Sequence, residues 1–205
     1  MTSPIVTSQW LFENLDNPNL IILDASQKAI ASTTTTDNNL KITGARYFDL
    51  KNNFSNNASD LPNMLPNATQ FEAESQKLGI NKSSIIVVYD NLGIYSSPRA
   101  WWMLKTMGHR NIFVLDGGLP DWIENKFPTE ENEPQQYIAG DFKAQFDSTR
   151  VKNYTFIKTN LNNQENIIID ARSSGRYNGT APEPREGLRS GHIPNSLNIP
   201  FGDVL

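Results

Sequence analysis

Few residue types in this sequence could do chemistry. Arg176 and Arg185 each carry a planar guanidinium that stays charged and can meet a carboxylate with two parallel hydrogen bonds. From spacing alone they read as surface ion pairs with Glu183 or Glu186. Asp170 and Arg172 end an apolar run, a place where sites gather in α/β sheets, but a local salt bridge is the simpler reading. Asp90 ends another apolar run. As a nucleophile or metal ligand it would need a cluster of partners, and none accompanies it. The two histidines, His109 and His192, are too few for a histidine metal site. His192, in Gly-His-Ile-Pro, reads as a loop or strand-edge residue bonded to backbone, and His109 as part of a surface turn. Trp101 and Trp102 read as packing residues, one of them available to line an interdomain face. There is no cysteine, which excludes disulfides, thiolate metal sites and a thiol nucleophile within these residues.

The elements that must position these groups are apolar runs alternating with helical segments. Residues 20–24, Ile85–Tyr89, Ile112–Leu115 and Ile167–Ile169 are continuous aliphatic runs, as expected of strands covered on both faces. Residues 68–78 form a helix candidate with Asn67 as N-cap, Gln70 three residues on and Gly79 as stop. Residues 98–107 form another, with Ser97 as cap and Pro98 in the first turn. Alternation of this kind predicts an α/β fold with a mostly parallel sheet flanked by helices.

Composition is that of an ordinary globular protein: 205 residues, 38% hydrophobic, 20% charged. A net charge of -4 gives no general attraction to nucleic acid or to an anionic membrane. No apolar run is long enough to span a bilayer, and the N-terminus has no basic-then-apolar leader. A cytoplasmic monomer without cofactor is expected.

A weak internal repeat divides the chain. Ile21-Ile22-Leu23-Asp24-Ala25-Ser26 resembles Ile167-Ile168-Ile169-Asp170-Ala171-Arg172 at an offset of 146. Ile42-Thr-Gly-Ala-Arg-Tyr-Phe is echoed from Ile193, as Ile-Pro-Asn-Ser-Leu-Asn-Ile-Pro-Phe, at an offset of 151. The reading is a first domain over 1–127, a polar linker over 128–141, and the opening part of a second domain over 142–205. The second copy has no counterpart of Ile85–Trp102, so the chain is expected to stop inside it, leaving that part less stably folded.

Several motifs in order now point to a family. Asp116-Gly117-Gly118-Leu119-Pro120-Asp121-Trp122 and the preceding Ser97-Pro-Arg-Ala-Trp-Trp-Met-Leu104 resemble the first domain of two-domain rhodanese-like sulfurtransferases, closest to the 3-mercaptopyruvate branch. Asp170 to Arg185, Ser190-Gly-His-Ile-Pro194 and Asn198-Ile-Pro-Phe201 resemble the opening of the second, catalytic domain.

The resemblance implies two parallel-sheet domains. It also implies transfer of sulfur from 3-mercaptopyruvate or thiosulfate to a thiol or cyanide through a cysteine persulfide. A thiolate suits that role as nucleophile and carrier, and backbone N–H groups in a loop at a helix N-terminus stabilise it. By the same resemblance Asp90 stands where a catalytic domain places cysteine, the counterpart in an inactive loop with a structural role. The catalytic loop itself is expected beyond Phe201 and outside the chain. Arg176 and Arg185 become the pair that holds the donor's anionic end, Arg185 favouring mercaptopyruvate.

There are departures from the family pattern. Lys51 stands where a second acid is common, Asn63 stands where histidine precedes Met-Leu-Pro, and Lys41-Ile-Thr-Gly-Ala45 replaces Gly-His-Ile-Pro-Gly-Ala. These weaken any proton relay from the first domain. The competing reading is a non-catalytic module that binds an anion or a protein partner. A serine hydrolase or nucleotide binder finds no matching motif.

Overall fold

The computed structural model describes residues 3–27, 39–133, 135–184 and 187–204. In chain order the first elements are β1 (Ile5–Val6), α1 (Ser8–Glu13), β2 (Leu20–Asp24), β3 (Leu40–Ile42) and β4 (Arg46–Tyr47). They are followed by α2 (Ala68–Lys77), β5 (Ile85–Tyr89), α3 (Ser97–Thr106), β6 (Ile112–Leu115), α4 (Gly118–Glu124) and β7 (Thr129–Glu131). The remainder holds α5 (Tyr154–Asn163), β8 (Ile169–Asp170), α6 (Ser174–Tyr177) and β9 (Leu197–Asn198). The chain divides into two compact units, Met1–Asp147 and Ser148–Leu205.

The first unit is built on a parallel sheet of order β1-β6-β5-β2-β4. Its central strands are buried on both sides, which is why they read as unbroken aliphatic runs. Alternation along them feeds two cores. Ile21, Leu23, Ile86 and Val88 point to one face, where Phe71 of α2 and Ala100, Met103 and Leu104 of α3 cover them. Ile22, Val87 and Tyr89 point to the other, against Leu11 of α1 and Leu119 and Trp122 of α4. Each such side chain contributes about 1.5–3 kcal/mol on leaving water. The expected α/β architecture, with helices on both faces of a parallel sheet, is what forms.

The helix starts follow from their caps. Thr7 Oγ1 accepts the Trp10 N–H at 3.1 Å, and Asn67 Oδ1 accepts the Gln70 N–H at 2.8 Å, as its spacing implied. The start of α3 differs from the reading. Ser97 lies inside the first turn instead of capping it, because its hydroxyl is committed to the Asp90 carboxylate.

The polar stretch 128–141 does not behave as a free linker. β7 pairs antiparallel with β3, Glu130 opposite Lys41. The guanidinium of Arg46 lies 4.7 Å from the centre of the Tyr137 ring. Gly140 passes so close to the Ile80 carbonyl that a Cβ there would sit 2.0 Å from its oxygen. Phe142 then enters the first core. The division between the units therefore falls after Asp147, twenty residues past the expected end of the first domain. Pro134 lies outside the described residues.

The second unit packs α5 and α6 with the two-residue parallel pair β8–β9. Asn153 caps α5 through the Phe156 N–H at 2.9 Å. The expected buried strand Ile167–Ile169 is a correction: regular pairing begins only at Ile169, and Ile167 is 76% exposed. Among the described residues β8 pairs with β9 alone, and Leu197 opposite it is 55% exposed. Register repeats between the units. Asp24 stands opposite Tyr47 and Asp170 opposite Asn198, at offsets of 146 and 151.

Candidate functional site

In the first unit the sheet order reverses between β5 and β2, so their C-terminal ends form the switch point where ligands bind in open α/β sheets. The loop after β2 lies largely outside the described residues. The loop after β5 folds around Asp90, which is fully buried. Asp90 Oδ1 accepts the Leu92 N–H at 2.9 Å. Oδ2 accepts the N–H groups of Tyr95, Ser96 and Ser97 at 2.8, 2.9 and 2.9 Å and the Ser97 hydroxyl at 2.7 Å. These donors converge on one carboxylate at the N-terminus of α3, a cradle for negative charge filled by the chain itself. Asp90 is thus chemically satisfied, with no open position for a substrate.

The Asp-Gly-Gly motif explains itself here. Gly118 has φ +55, and a Cβ on it would lie 2.5 Å from the carbonyl oxygens of both Asp90 and Gly93. The Leu119 N–H donates to the Asp90 carbonyl at 3.0 Å. Only glycine lets α4 start so close beneath the loop. Next to it, burial pushes the Asp24 carboxyl above the usual carboxylate range, although the Ser26 N–H at 2.9 Å opposes this.

In the second unit the charged residues form one network at the end of β8. Arg172 grips Asp170, with Nη2 2.6 Å from Oδ2 and Nε 3.0 Å from Oδ1, so the local pair read from the sequence is present. The same guanidinium donates through Nη1 to Glu183 Oε1 at 2.8 Å and through Nη2 to the Gly191 carbonyl at 2.7 Å. Glu183 Oε2 receives Arg176 through Nε at 3.1 Å and Nη2 at 2.6 Å. Hydrogen bonds from Arg176 hold Glu183 below the usual carboxylate range, and those from Arg172 do the same for Asp170.

Arg176 is therefore ion-paired with Glu183, the bland alternative for it, yet it is not spent. Its side chain remains 32% exposed, and among the described residues no partner occupies Nη1. Arg185 and Glu186 lie outside the described residues. The short helix α6 presents Arg176 in its last turn. Sequence reading missed Glu183 as the hub. Its place between two prolines, seven residues from one arginine and eleven from the other, was the available signal.

The remaining candidates are structural. His192 Nδ1 donates to the Tyr177 carbonyl at 2.8 Å and its ring stacks on Tyr177 at 3.9 Å, as a backbone-bonded loop residue would. His109 is a correction: it is 3% exposed, not part of a surface turn, because its ring packs on Phe142 and Nε2 donates to the Asn81 carbonyl. Burial pushes it below the usual imidazole value. Trp101 donates Nε1–H to the Ile112 carbonyl at 3.0 Å and packs, with Trp102, on the core. Asn63 offers its backbone carbonyl to Arg99. Among the described residues no acidic or histidine cluster could hold a metal ion, and no helix is long and apolar enough to cross a membrane.

Comparison with known proteins agrees with the motifs. The model of the rhodanese-like domain matches residues 7–125. Human 3-mercaptopyruvate sulfurtransferase is 38% identical over 98% of this chain and 70% of its own length. The Escherichia coli enzyme of the same name is 36% identical over 100% of this chain and 73% of its own. The crystal structure of SseA from Escherichia coli, described as a 3-mercaptopyruvate sulfotransferase, superposes with a TM-score of 0.87 at 33% identity, covering 100% of this chain and 77% of that one. By fold and by sequence, the chain belongs to the rhodanese-like family of sulfurtransferases.

Proposed function

We propose that the chain recognises the anionic end of a small sulfur donor, the carboxylate of 3-mercaptopyruvate ahead of thiosulfate, for sulfur transfer to a thiol or cyanide. The observation that carries this reading is Arg176: its guanidinium is fixed on one side by Glu183 and left without a described partner at Nη1. Arg185 supplies the second cation. Relatives named for 3-mercaptopyruvate support the choice of donor.

With 3-mercaptopyruvate a thiolate attacks the donor's sulfur, the carbon–sulfur bond breaks, and the leaving enolate takes up the donor thiol's proton to become pyruvate. The persulfide formed is then attacked at its outer sulfur by cyanide or an acceptor thiolate, which restores the first thiolate. The arginines hold the carboxylate so that the sulfur meets the nucleophile in line. These 205 residues contain no cysteine, so the persulfide forms on a thiol they do not include. Asp90 cannot replace it, since a carboxylate carries no persulfide and this one is fully hydrogen-bonded.

The missing thiol favours a second reading of the chain by itself, a module that binds the anion without turning it over. One experiment addresses both. 3-Mercaptopyruvate should raise the unfolding temperature of the chain, and Arg176→Gln should abolish that rise. The chain alone should form no thiocyanate from 3-mercaptopyruvate and cyanide above a protein-free control. No stabilisation of the wild-type chain would overturn donor recognition. Thiocyanate above the control would overturn the need for an outside thiol.

A further inference from the structure

We infer that Glu183 is a positioning residue that selects how Arg176 meets its ligand, leaving one two-pronged end of the guanidinium for a planar carboxylate. The inference rests on the reading that Arg176 contacts the donor, and it adds the residue that makes the contact directional.

The guanidinium of an arginine meets an oxyanion with two parallel N–H groups in only two places, the Nε/Nη2 edge and the Nη1/Nη2 end. In Arg176 the Nε/Nη2 edge is consumed, both atoms donating to the single oxygen Oε2 of Glu183 at 3.1 and 2.6 Å. The second hydrogen of Nη2 and those of Nη1 remain, and they define a single end-on fork. Glu183 can impose this because both of its carboxylate oxygens are engaged. Its side chain is 4% exposed, and its other oxygen is held by Arg172 Nη1 at 2.8 Å. Arg172 in turn is fixed by Asp170 and by the Gly191 carbonyl. The chain of restraint therefore runs from β8 through two guanidiniums and one carboxylate to Arg176.

Charge and position pull in opposite directions at Glu183, which makes the inference testable. Asp170, Arg172, Glu183 and Arg176 together sum to zero charge. Replacing Glu183 by glutamine leaves the group at +1, which by Coulomb attraction alone would strengthen binding of an anion. Glutamine cannot serve both arginines. Its carbonyl can accept from one, but its amide then turns N–H toward the other donor. On the positioning account Arg176 becomes free to rotate, and binding pays to order it again. A cost of that kind corresponds to roughly three- to tenfold in affinity.

The test is a nuclear magnetic resonance titration of the 205-residue chain with pyruvate, the planar carboxylate left when the donor loses sulfur, in wild type, Glu183→Gln and Arg176→Gln. Two signals are read: the pyruvate dissociation constant and the side-chain Nε–H resonance of Arg176. That resonance reports directly whether the guanidinium is held, which a general loss of stability in an otherwise folded unit would not mimic. Wild type should show a resolved Arg176 Nε–H. Glu183→Gln should lose it and bind pyruvate roughly three- to tenfold more weakly while the rest of the spectrum is kept. Arg176→Gln should abolish binding. Unchanged or tighter pyruvate binding in Glu183→Gln would overturn the inference, as would an Arg176 Nε–H signal that survives it. Should Glu183→Gln unfold the second unit, Glu183→Asp decides: its shorter arm keeps the charge but not the reach, so the resonance must still shift and affinity fall. If wild type binds no pyruvate while the resonance collapses in the variant, Glu183 does position Arg176 and the donor reading is what fails.

Discussion

Ser97 gives Asp90 both of its donors, the backbone N–H at 2.9 Å and the hydroxyl at 2.7 Å, on the same carboxylate oxygen. That pairing ties the last residue of β5's exit to the first turn of α3. A loop that could receive an outside anion is instead closed by an inside one. Asp90→Ala would strand the N–H groups of Leu92, Tyr95, Ser96 and Ser97 around an empty space. A loss of about 3–5 kcal/mol is expected from these unsatisfied buried donors. Chemical denaturation measures it, and a loss below about 1 kcal/mol would show that the donors find other partners.

The same donors should act on any anion placed there. In Asp90→Cys the thiol should ionise below about 7.5, against about 8.5 for an ordinary cysteine. The pH dependence of alkylation by iodoacetamide gives the value. An ordinary or raised value would mean that burial outweighs the cradle.

Gly118→Ala brings a methyl group to 2.5 Å from the carbonyl oxygens of Asp90 and Gly93, at a backbone φ of +55. Neither contact is a flexible side-chain end. A destabilisation of about 2–3 kcal/mol is expected, read from the denaturation midpoint, with most of the disturbance in residues 90–97.

What the sequence disclosed depended on how local each cause was. Ile85–Tyr89 was legible because a strand buried on both faces has no polar position to hide. Asn67 was legible because a cap and its N–H lie three residues apart. The end of the first unit was not, since residues 128–141 are polar along their length and their attachment runs through backbone groups, such as the Gly140 N–H on the Gln76 carbonyl. His109 was misread for a related reason: its burial comes from Phe142, 33 residues away, which no local pattern announces. At the site, Arg176 entered through motif resemblance and Glu183 as one of two ion-pair partners open to it, whereas the bridging of Arg172 and Arg176 by Glu183 shows only in the fold, where α6 and the Pro-Glu-Pro segment come together.

Acid should loosen the second unit first. Glu183 and Asp170 are held below their ordinary range by Arg176 and Arg172, so the unfolded chain binds protons more readily than the folded one. Their stabilisation is complete above the ordinary carboxylate range and is lost as pH falls through the lowered folded-state values. Both pairs touch solvent, so the effect is moderate and weakens with salt. Backbone resonances of residues 170–198 should broaden on acidification before those of β2 and β5, and simultaneous loss would contradict this.

Protection against hydrogen exchange should differ between the units. Ile86–Tyr89 lie between two cores, whereas Ile169 and Leu197 are half exposed beside a two-residue pairing. Amides of β5 should exchange at least about a hundredfold more slowly than that of Leu197, which donates to the Ile168 carbonyl. Equal protection would mean that the second unit is better covered than its exposed aliphatic residues imply.

A crystal of the 205-residue chain with bound pyruvate puts the donor assignment to its hardest trial. The account predicts the carboxylate within about 3 Å of the Nη1/Nη2 end of Arg176, with Glu183 still on the opposite edge and Arg185 closing from the second side. Pyruvate bound elsewhere, or the two arginines facing apart with no shared cleft, would contradict it.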